Sequence, residues 1–133
     1  MDKIGRKLLS GRVKLTHLPL HTLTTSEGAV DWYSPPHPAL VPSSGFDLVI
    51  VDGPTGTRHL SRYGIAEYTP EWMAPEWMLL WDDLDREADL DSFGRLVEKL
   101  RRRGVSHDHL LLDGDRTVGL ILTPAFQFMR YQW

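Results

Sequence analysis

Phe46-Asp-Leu-Val-Ile-Val-Asp-Gly-Pro-Thr-Gly56 is the stretch on which the fold of this chain turns. Leu48 to Val51 form an unbroken aliphatic and β-branched run, closed by an acid and Gly-Pro. Such a run between turn residues predicts a strand buried on both faces. Strands of that kind belong to parallel sheets covered by helices. In open α/β sheets ligands sit beyond the carboxyl ends of the strands. Asp52 is the first polar side chain past the run, which makes it the expected edge of a site.

On the C-terminal side, residues 57–72 carry Leu60, Tyr63, Gly64, Ile65 and Tyr68, a pattern that predicts a helix or two short helical turns ending near Pro70. Past Pro75, Trp77-Met-Leu-Leu-Trp81 predicts a second buried strand that ends in Asp82-Asp83. Leu90, Phe93, Leu96, Val97 and Leu100 recur at helical spacing, so a helix is expected from about residue 90 to 103. Gly104 supplies its C-terminal stop. His109 to Leu112 and Thr117 to Leu122 flank Asp113-Gly-Asp-Arg116, the composition of a hairpin turn. On the N-terminal side, Lys3 to Ser10 is a short amphipathic piece, and Val13 to Leu18 alternates like a half-exposed strand that Pro19 ends. Residues 21–45, with Ser34-Pro-Pro-His-Pro38 and Pro42-Ser-Ser-Gly45, predict a long Pro-rich loop. Asp31-Trp-Tyr33 within it is expected to pack down on the body.

A chain of 133 residues is one domain, residues 1–133, long enough to bury a core without disulfides. Its hydrophobic content of 41% and charged content of 25% are those of a globular protein. A net charge of -3 points to no nucleic acid and no anionic membrane as partner. There is no cysteine, which excludes disulfides and thiolate chemistry. No apolar run approaches the roughly 20 residues that span a bilayer, and the N-terminus lacks the apolar segment of a signal peptide. A cytoplasmic protein is expected.

Taken in order, Phe46-Asp-Leu-Val-Ile-Val-Asp-Gly-Pro54, Ser61-Arg-Tyr-Gly64, Pro75 and Trp77-Met-Leu-Leu-Trp-Asp-Asp-Leu-Asp-Arg86 resemble the second half of class I S-adenosylmethionine-dependent methyltransferases. The resemblance implies an α/β fold: an incomplete Rossmann-like methyltransferase sheet, mostly parallel, with a C-terminal antiparallel hairpin. Val13 to Pro19 would be that family's third strand, and the domain would be truncated on its N-terminal side. The family holds its cofactor on a Gly-rich turn after the first strand and on an acid after the second. This chain has no G-x-G-x-G after a strand, so by itself it is expected to bind S-adenosylmethionine weakly or not at all.

Some relatives hold a divalent metal on an acid after the fourth strand and an acidic pair after the fifth. Asp52, Asp82 and Asp83 take the matching positions, and oxygen-only ligation suits magnesium. The bland alternative is that Asp52 caps a helix while the pair opens a charged turn with Arg86. His59 is a candidate acid–base partner for Asp52 if the chain folds back over the strand end. His17 with His21, and His107 with His109, lack a third ligand. Arg58, Arg62 and Tyr63 could face a substrate, or the arginines could pair with Glu67 or Asp85 at the surface. Trp72, Trp77 and Trp81 suit core or interface packing.

Two functional readings follow. One is methyl transfer to an unidentified substrate, completed by a cofactor half from a partner chain. The other is a non-catalytic interaction or assembly module retaining the scaffold. In either case the strand around Val49 would stand at a sheet edge, so a homodimer, or a partner chain supplying the missing strands, is expected.

Overall fold

The computed structural model describes residues 15–35 and 38–132. Lys3 to Ser10, Val13 and Lys14 lie outside them. Leu15 to Pro19 form no strand, which removes most of the proposed third strand. Six strands follow: β1 (Leu20–Thr25), β2 (Gly28–Tyr33), β3 (Phe46–Val51), β4 (Met73–Trp81), β5 (Asp108–Leu112) and β6 (Val118–Leu122). One α-helix, α1 (Glu87–Arg102), lies between β4 and β5.

β1 and β2 pair with each other as an antiparallel hairpin. The other four strands make a sheet in the order β3-β4-β6-β5. Within it β3 and β4 are parallel, whereas β6 runs antiparallel to both β4 and β5. The expected mostly parallel, incomplete Rossmann-like methyltransferase sheet is therefore corrected to a mixed sheet whose ladders are mostly antiparallel. Strands joined by a tight turn can pair only antiparallel. Here β6 not only reverses after β5 but inserts between β5 and β4, converting two of the three ladders.

The predicted loop at 21–45 is corrected as well, because its first half is the β1–β2 hairpin. Thr25 Oγ1 donates to Gly28 O (2.7 Å) and accepts from Glu27 N (3.2 Å), which closes the turn. Val30 and Trp32 point into the core at strand spacing. Residues 57–72 form no crossover α-helix. A 3-10 turn, Tyr63–Glu67, is all that forms there, preceded by Leu60 and Arg62 in the left-handed region at φ 49° and 58°.

Helix α1 begins three residues earlier than its apolar spacing suggests. It buries Asp89, Ser92, Phe93, Leu96 and Leu100, and leaves Leu90 exposed. Glu87 and Asp89 in the first turn, and Lys99, Arg101 and Arg102 in the last, suit the helix dipole. Val105 N bonds Leu100 O (3.0 Å) and Gly104 N bonds Arg101 O (3.0 Å), with Gly104 at φ 69°. This is the Schellman pattern that Gly104 predicts.

The helix covers the sheet face carrying Val51, Leu79, Trp81 and Ile121, all buried. Gly119, opposite Trp81, lets Leu84 and Phe93 close in; a Cβ there would lie 2.5 Å from Leu84 Cδ1. On the other face Leu120 and Leu122 are buried, both in β6, which with β4 and β5 meets the 3-10 helix Pro124–Tyr131. That cover stops short of β3. Leu48 and Ile50 remain 46% and 60% exposed, so the strand expected to be buried on both faces is buried on one.

Candidate functional site

The parallel pairing of β3 with β4 sets Val51 beside Trp81, so both chains leave the sheet side by side. Asp82 N continues the ladder by donating to Val51 O (3.0 Å). Asp52, Asp82 and Asp83 are thereby gathered, with one carboxylate oxygen of each within 4.8 Å of the others. Among the described residues this is the one cluster of metal-capable side chains.

Behind the acids stands Arg62, 5% exposed. Its Nε donates to Pro54 O (3.1 Å) and a terminal nitrogen donates to Asp82 O (2.9 Å), tying the loops after β3 and β4 together. The other terminal nitrogen reaches Asp83 Oδ2 (3.5 Å), and Nε lies 3.6 Å from Asp89 Oδ1. Asp89 is fully buried and also accepts from Trp81 Nε1 (3.3 Å). Its second oxygen lies 3.1 Å from Arg86 Nε, in contact but not in hydrogen-bonding geometry. Arg86 and Arg116 also reach Asp83, at 3.3 and 3.0 Å. Three guanidiniums therefore engage both oxygens of Asp83, which sits in the left-handed region at φ 61°.

Asp52 and Asp82 differ from Asp83, since their carboxylates make no hydrogen bond or ion pair with the described residues. Two uncommitted carboxylates suit Mg²⁺, which keeps several of its waters and needs only one or two protein carboxylates. Asp83, held by arginines, would contribute charge rather than a bond. Next to the cluster, Asp85 accepts from Thr117 N (3.0 Å) and Thr117 Oγ1 (2.8 Å). Those bonds, the backbone one foremost, lower its pKa below the ordinary aspartate value. They fasten the loop after β4 to the start of β6.

His59 lies exposed on the loop after β3, where its carbonyl accepts from Thr57 Oγ1 (2.9 Å). It lines a cavity of 530 Å³ with Arg58, Glu87, Asp91 and Arg95, and shares no hydrogen bond with Asp52. Neither surface partner considered for Arg62, Glu67 or Asp85, is used; its partners are Asp83 and Asp89. His107 accepts from or donates to no other side chain and lies 2.7 Å from Val105 O through Nδ1. Trp77 and Trp81 are core residues, and Trp72 packs on Tyr68 with ring centroids 4.2 Å apart.

A second feature is the outer edge of β3. It lies beside an apolar groove of 330 Å³, lined by Leu18, Trp32, Tyr33, Phe46, Leu48 and Trp72 among others. Among the described residues no strand pairs with this edge. The strand around Val49 does stand at the edge of the sheet; what its apolar run does not tell is which of its faces another element will reach, and Leu48 and Ile50 are left exposed.

No family model, curated protein or solved structure matches the chain. No described helix is long and apolar enough to cross a membrane.

Proposed function

We propose that this protein is a non-catalytic assembly module whose working surface is the outer edge of β3. The observation that carries the reading is the exposure of Leu48 and Ile50 on a strand whose outer edge pairs with no strand among the described residues. An apolar edge strand is a template for another chain unless charge, proline or a covering element blunts it. Burying aliphatic side chains there is worth about 25 cal/mol per Å² of apolar surface. Self-association at that edge would provide that burial. Neither nucleic acid nor a membrane is needed. Sedimentation equilibrium across micromolar concentrations is expected to show association that Ile50→Lys abolishes. A chain that stays at 15.2 kDa throughout would overturn the reading.

The acidic cluster favours a second reading, the methyltransferase-like one, with Mg²⁺ on Asp52 and Asp82 beside Asp83. The sequence has no G-x-G-x-G turn after a strand to receive S-adenosylmethionine, so on this reading a partner would hold the cofactor. Calorimetric titration of the isolated chain is expected to show no binding of S-adenosylmethionine tighter than about 10 µM, or about -7 kcal/mol. Magnesium, calcium or manganese should raise the melting temperature of wild type and not of Asp52→Ala. Equal shifts in both proteins would reject the metal site.

A further inference from the structure

The hydrogen-bonding pattern of β3 fixes which of its backbone groups its outer edge offers. Val51 O accepts from Asp82 N, so Val51 and, by alternation, Val49 turn their backbone groups toward β4. The N–H and C=O of Leu48 and Ile50 then face outward. Two outward residues, two apart, can bond an antiparallel strand that offers the same pair.

Resting on the assembly reading, we propose that the occupant is a second copy of this chain, paired antiparallel β3 to β3 about a two-fold axis at Val49. In that register Leu48 of each copy sits opposite Ile50 of the other. Each pair exchanges both backbone hydrogen bonds, and the four exposed aliphatic side chains meet on one face. Val49 faces its own copy as a pair without backbone hydrogen bonds, the closer type of antiparallel pair. The charges agree with this register. Asp47 falls opposite Val51 and Asp52 opposite Phe46, so no two carboxylates meet. Centring the axis on Ile50 would instead set Asp52 against Leu48. Centring it on Leu48 would require outward backbone groups at Phe46, whose N–H already bonds Trp72 O (2.9 Å). A two-fold pairing uses both edges at once and closes the assembly at two copies.

The chain has no cysteine, so one introduced thiol reports one position. Cα atoms of a closely spaced antiparallel pair lie about 4.5 Å apart, within the range of about 4.4–6.8 Å that a disulfide bridges. Val49→Cys, a small change in volume, is expected to oxidise to a covalent dimer in most of the sample. Asp47→Cys, whose two copies would stand about 14 Å apart along the strands, is expected to remain monomeric under the same oxidation. Sedimentation of the wild type is expected at twice 15.2 kDa. Ile50→Lys, which would bury two ammonium groups per dimer, should weaken association about a hundredfold or more. A wild-type dimer whose Val49→Cys form does not cross-link overturns this pairing and leaves the assembly reading standing. A wild-type monomer overturns both.

Discussion

Arg62→Ala is expected to lose about 3–5 kcal/mol of folding stability, the range for breaking a buried ion pair from one side. The guanidinium is almost completely enclosed and contacts two backbone carbonyls and two carboxylates. Alanine would leave Asp89 buried with the Trp81 indole and the edge of the half-exposed Arg86. It would also leave the carbonyls of Pro54 and Asp82 without this donor. A domain has about 5–15 kcal/mol of stability in all, so this change approaches unfolding. Urea titration measures it directly. Arg62→Ala combined with Asp89→Asn should cost less than the two separate losses added together, because the second change removes the charge that the first strands. A wild-type midpoint for Arg62→Ala would show that the network does not hold the strand ends.

Gly64→Ala is the second large effect. A Cβ at Gly64 would lie 2.2 Å from Trp32 Cγ and 2.3 Å from Cδ2, inside any real contact distance. The indole is 7% exposed and its ring meets Tyr33 edge-on at 5.4 Å, so it has little room to yield. Overpacking a core site costs about 1–3 kcal/mol, occasionally more, and the upper end is expected where the obstacle is a rigid ring. The β1–β2 hairpin would be pushed off the turn at Tyr63–Glu67, with a red shift of tryptophan emission. Gly94→Ala is the control: nothing lies within 4 Å of its Cβ, and it sits in α1. Removing a glycine from a helix interior should stabilise by about 0.5–1 kcal/mol. Equal stability of the two variants would mean that the hairpin does not pack where the structure puts it.

The acidic cluster is legible in the order of residues alone. A run that ends in Asp52 and another that ends in Asp82-Asp83 need only become parallel neighbours for the carboxylates to meet, and β3 and β4 do. The role of Arg62 is not legible there. Its partners Asp83 and Asp89 lie 21 and 27 residues along the chain, and sequence separation does not distinguish them from Glu67 or Asp85. The hairpin at Leu20–Tyr33 leaves a faint signal, Val30 and Trp32 at a spacing of two. Thr, Ser and Glu around them make it resemble a loop.

By itself the sequence determined what short-range energetics decide. Helix α1, with its buried Phe93, Leu96 and Leu100 and its Gly104 stop, follows from side-chain spacing and dipole charge within one element. The β5–β6 reversal follows from the turn residues between them. Tertiary structure alone decided that β6 would enter between β4 and β5, and that Leu48 and Ile50, on the edge strand β3, would stay in water. An apolar side chain carries the same transfer free energy whichever neighbour covers it. Its hydrophobicity therefore records that burial is favourable, while the partner is chosen by sheet order, backbone pairing and loop length across the whole chain.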